Sequence, residues 1–99
     1  MMPTQLVDVL SEIIDLLYQC GRTDRAAWLN ERRSVLLDEQ ATADAREHAS
    51  NELHGVVLGM GGLMDLSLTP ESGSSYTSNS ARERLDALGD TLYELTRWP

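Results

Sequence analysis

Ninety-nine residues make one domain, with enough chain to bury a single core and little more. Sixteen acids against eight bases leave a formal charge of −8 at neutral pH, and every base is arginine. That balance speaks against broad duplex nucleic-acid binding, whose affinity comes mainly from neutralised phosphates.

Residues 5–20 read as a first helix, with Thr4 able to cap it and Gly21 where a left-handed residue ends a helix. At 100° per residue, Leu6, Val7, Val9, Leu10, Ile13, Ile14, Leu16 and Leu17 cover an arc of roughly 200°. Packing on a single neighbour needs about half of that. The first helix is therefore expected at the centre, against two helices or against one helix and a second chain.

A second helix is expected from Thr23 or Asp24 to about Asp38, with Ala26, Trp28, Leu29, Val35, Leu36 and Leu37 on its apolar side. Arg25 and Arg32 fall inside that arc. Such arginines either lay their methylenes along the core edge or hold their heads for a carboxylate, in this chain or in a partner. The third helix spans residues 41–58, with a stripe of Ala45, Ala49, Leu53, Val56 and Met60. It runs into Gly59, Gly61 and Gly62, a structural turn in which Asp65 can bond freed backbone N–H groups. Leu63 to Leu68 then forms an ordered apolar turn plugging one end of the bundle.

Residues 69–80 hold five serines, two threonines, Pro70 and Gly73, the pattern of an exposed, flexible linker. Ser80 with Glu83 reads as a capping box opening the last helix. Ala81, Leu85, Leu88, Leu92 and Leu95 then form a heptad seam that should dock along the first helix. The expected fold is all-α, a single compact four-helix bundle-like domain over residues 1–99.

Few constellations could carry chemistry. Asp44, His48 and Glu52 follow one another at helical spacing, but His54 lies on the opposite side, so no metal site is expected. Glu52 sits near the edge of its apolar stripe and wants a cationic partner, with Arg25, Arg32 and Arg33 as candidates. A phosphate loop at the glycine cluster would need a preceding strand and a following base, and neither is present. Cys20 ends an apolar helix with no histidine close in sequence, so neither a catalytic residue nor a cofactor is expected. The remaining signal is acidic. Asp8, Glu12 and Asp15 share one face of the first helix, and Glu83, Asp86, Asp90 and Glu94 share one face of the last. Such faces serve solubility, or an interface for a basic partner surface.

Gly59-Met60-Gly61-Gly62-Leu63-Met64-Asp65-Leu66 resembles the Gly-Met-Gly-Ser-aromatic-Asn-Asp-Leu turn of a small bacterial helical family of unknown function. Leu85-Asp86-Ala87-Leu88 and Leu92-Tyr93-Glu94-Leu95 are similar to that family's C-terminal helix, and Leu17, Gly21, Ala27, Trp28 and Leu29 to an early run in it. Gly62, Leu63 and Met64 stand where the family prefers serine, an aromatic and asparagine. The resemblance implies a compact helical protein and no particular activity.

A lone cysteine, the absence of a basic head before Arg22 and the shortness of the apolar run Gly55–Met64 lead to the expectation of a cytoplasmic protein without a membrane span. The leading expectation is a non-enzymatic binding protein, most concretely an immunity or antitoxin-like protein masking a toxin's basic surface. A homodimer closing the first helix's apolar arc is the alternative, and a small enzyme using Cys20, His48 or His54 a further one. No small-molecule substrate is evident.

Overall fold

The computed structural model describes residues 4–58, 62–63 and 66–97. Four helices account for most of them: α1 (Thr4–Gln19), α2 (Thr23–Leu37), α3 (Ala43–Leu58) and α4 (Ser78–Leu95). The fold is all-α and bundle-like. No helix among the described residues is long and apolar enough to cross a membrane.

The wide apolar arc of α1 sets the arrangement. Leu10, Ile13, Leu16 and Leu17 are fully inaccessible, and Leu6, Val9 and Ile14 nearly so. α1 packs on α2 and α4, and α3 closes the ring by packing on the same two helices. Helix α1 ends where its sequence says it should. Gly21 has φ +73°, its N–H donates to Tyr18 O at 3.2 Å, and the N–H of Arg22 donates to Leu17 O at 2.8 Å. This paired reversal satisfies two terminal carbonyls and requires the left-handed conformation that glycine adopts without strain. The α4 seam docks as expected: Ala81, Leu85, Leu88 and Leu92 are buried and Leu95 partly so, with Gly89 inside beside them.

Three local expectations change. Leu37, placed on the apolar side of α2, is 49% exposed, because the chain leaves the helix at the next residue. In α3, Ala49, Ser50, Leu53 and Val57 are buried, whereas Ala45 is exposed and Val56 only partly covered. The helix is turned by roughly 50° from its apolar stripe, at 100° per residue. Contacts on its two flanks hold that phase, Glu52 with Arg32 on α2 and His54 with α4. The third change is the start of α4, at Ser78. Thr77 caps it in a reciprocal box with Ser80, each side chain bonding the other's backbone N–H at 3.1 and 2.8 Å, so Ser80 with Glu83 is not the box. In a hydroxyl-rich stretch several residues could cap, and the geometry of the approach to α4 selects Thr77.

Of the glycine turn, Gly62 and Leu63 are buried, while Gly59, Gly61 and Asp65, with Met60 and Met64, lie outside the described residues. Leu63 and Leu68 enter the core at 1% and 9% exposure. Arg82 of α4 donates to the carbonyls of Leu66 and Leu63 at 2.8 and 3.2 Å, fastening this apolar segment to the bundle. The serine-rich stretch beyond it is mostly exposed but is tied to the end of α1. Glu71 N–H donates to Gln19 O at 2.8 Å, and Ser74 Oγ donates to Gln19 Oε1 at 2.9 Å.

Candidate functional site

The acidic candidates occupy the outward faces of two neighbouring helices. Asp8, Glu12 and Asp15 project from α1, and Glu83, Asp86, Asp90 and Glu94 from α4; all are exposed except Asp86, which is partly buried. An ion pair between Glu12 and Arg84 joins the two helices. Asp86 pairs with Arg82 at 2.6 Å and Glu94 with Arg97 at 3.7 Å, while Asp15 accepts from Gln19 Nε2 at 2.8 Å. Asp8, Glu83 and Asp90 make no ion pair among the described residues. The face thus sets seven carboxylates against three arginines. Exposed pairs of this kind add little stability. Their main physical effect is a negative potential over a fixed two-helix surface.

On the α2–α3 side the structure pairs one of the candidate arginines with Glu52 and adds two features that sequence reasoning did not single out, a stacked tryptophan and a groove. Arg32 lies over the Trp28 ring at 3.9 Å from its centroid and donates to Trp28 O at 3.2 Å. The same guanidinium pairs with Glu52 at 3.0 Å and Glu31 at 3.1 Å. Of the three candidate partners for Glu52, Arg32 is therefore the one used; Arg33 instead donates to Ser11 Oγ at 2.9 Å, and Arg25 makes no ion pair among the described residues. Glu52 also faces His48 Nε2 at 3.2 Å. Beside this network runs an open groove of about 300 Å³, floored by Val35 and Ala49, with Ala45, Glu31 and His48 on its rim. Its lining has no hydroxyl or thiol. The signal in the sequence was the pair of alanines on α3, whose small side chains leave a groove open beside Val35.

The remaining candidates for chemistry are structural in their surroundings. Among the described residues no three His, Cys, Asp or Glu side chains are grouped to hold a metal ion. Cys20 is buried at 6% exposure, and burial pushes its thiol pKa up; Arg22 pulls it partly back and Glu71 raises it further. Neither histidine is among these groups. His54 stacks on Tyr93 at 4.1 Å between ring centroids, with its Nδ1 3.0 Å from Thr96 Oγ1. That hydroxyl also reaches Leu92 O at 2.7 Å, and when it donates there the histidine Nδ1–H is the donor to it. The pairing joins the last turn of α3 to the end of α4. No protein family, curated protein or solved structure matches the chain.

Proposed function

We propose that the chain is a non-enzymatic protein-binding module of immunity or antitoxin type, which covers a basic surface of a toxin-like partner. The observation that carries this reading is the adjacent pair of outward faces on α1 and α4, where seven carboxylates meet three arginines. The buried seam beneath holds those carboxylates on rigid helices, so binding does not first have to order them. A site built to attract phosphate presents positive charge, and an acidic cover of this kind is drawn to it at long range. The reducing cytoplasm suits the lone buried thiol of Cys20. Of the apolar arc of α1, which would motivate a homodimer, all but the half-buried Val7 is buried within one chain, where α1 packs on α2 and α4.

The test is affinity capture from the native host, followed by association rates at low and high salt for Asp→Asn and Glu→Gln variants at the seven positions. Association should slow about tenfold or more with added salt, in the range of electrostatic steering, and the variants should reproduce that loss at low salt. A partner whose association ignores both salt and all seven changes overturns the reading.

A further inference from the structure

The groove between α2 and α3 lies away from the acidic α1–α4 face and has a different character. Its floor is apolar, made by Val35 and Ala49 with exposed Ala45 at the mouth, and its polar lining is two carboxylates, Glu31 and Glu52, against the Arg32 guanidinium and the His48 imidazole, whose Nε2 lies 3.2 Å from Glu52 Oε1. That guanidinium is committed. Arg32 is stacked on Trp28 and bonded to Trp28 O, Glu31 and Glu52, which leaves it little capacity to recruit an anion. The lining thus holds one more carboxylate than guanidinium at an apolar, open cleft, with Glu31 the more exposed of the two, and Asp44 precedes His48 by one turn on the same side of α3. An apolar trough with acidic edges matches a side chain with a long methylene stem and a cationic head.

We propose that this groove seats one arginine or lysine side chain of the partner, its stem along Val35, Ala45 and Ala49 and its head at Glu31 and Glu52. The proposal takes only the partner's positive charge from the functional reading above; its site is separate. Ala45 is exposed and Ala49 is 3% exposed, so the stem rests on a surface already formed in the free protein. A basic partner would then be gripped on two sides of the bundle. The α1–α4 face supplies attraction at a distance, and the groove supplies a desolvated anchor of the kind that governs dissociation.

The test uses the full ¹⁵N-labelled chain and two small probes, N-acetyl-arginine N-methylamide and N-acetyl-norleucine N-methylamide, the second having an aliphatic stem and no charge. The arginine probe should give saturable amide shifts centred on Val35, Ala45, His48 and Ala49, and the norleucine probe should bind roughly tenfold more weakly, the loss of about one charge-assisted contact. Ala45→Leu, which fills the mouth from an exposed position, should abolish these shifts and leave the spectrum of α1 and α4 unchanged. Glu31→Gln should weaken binding several-fold without altering the fold. The proposal is overturned by equal binding of both probes, by shifts spread evenly over all surface carboxylates, or by shifts that survive Ala45→Leu. It is also overturned by a concentration-dependent dimer that displaces the probe, which would assign the groove to a second copy. Variants at the seven α1–α4 carboxylates should leave this titration unchanged, so its failure and that of the electrostatic reading are separate results.

Discussion

Replacing Leu85 with alanine tests the seam by which α4 is held to the bundle. Leu85 has no accessible surface and stands in the middle of the buried row Ala81, Leu85, Leu88, Leu92. The substitution removes about three methylene equivalents, worth roughly 2.4 kcal/mol at about 0.8 kcal/mol each. A partly relaxed cavity adds to that, so the expected loss is about 3–4 kcal/mol, inside the usual range of roughly 2–5 for buried leucine. A domain of this length has about 5–15 kcal/mol in total. Equilibrium urea unfolding is the assay: the midpoint should fall by about 1–3 M with an unchanged slope, and the thermal midpoint by about 12–25 °C. Leu37→Ala is the matched control, because that side chain is 49% exposed and should cost about 1 kcal/mol, half the transfer term with no enclosed cavity. A loss below about 1 kcal/mol at Leu85, or equal losses at the two positions, would show that α4 does not dock through this seam.

Gly21→Ala should destabilise by about 1–2 kcal/mol in the same assay, since φ is +73° and a Cβ would lie 3.1 Å from Glu71 Oε1; an unchanged midpoint would refute the left-handed termination of α1. Thr77→Ala should cost about 1 kcal/mol by removing the side-chain acceptor for Ser80 N–H, while Glu83→Ala should be close to neutral for capping, and the reverse order would return the box to Ser80 and Glu83. Burial raises the Cys20 pKa in the folded state, so the unfolded chain loses that proton first. Its contribution is complete below the ordinary thiol value of about 8.5 and declines as pH rises from there through the raised folded-state value. Unfolding curves from pH 7 to 10 should therefore fall more steeply for the parent chain than for Cys20→Ala, and parallel pH profiles would contradict the buried neutral thiol.

The sequence by itself determined the helices and much of their packing. The 200° apolar arc of α1 required two neighbours, which are α2 and α4. The leucine spacing of α4 defined a seam that is buried, and Gly21 marked the end of α1. It also showed that Glu52 needed a cation and narrowed the choice to three arginines. These features are local: periodicity, end signals and the cost of an unpaired charge act within a few turns of one helix. Tertiary structure decided the rest. Which arginine meets Glu52 depends on the axial register of α2 against α3, and that register selects Arg32. The phase of α3 depends on contacts at both its flanks, so Val57 and Ser50 face inward in place of Ala45 and Val56. Neutralisation of Glu12 by Arg84 arises only because α1 and α4 lie side by side. The groove has the same origin, since concavity belongs to the space between two helices and small side chains create it only where their neighbour does not fill it.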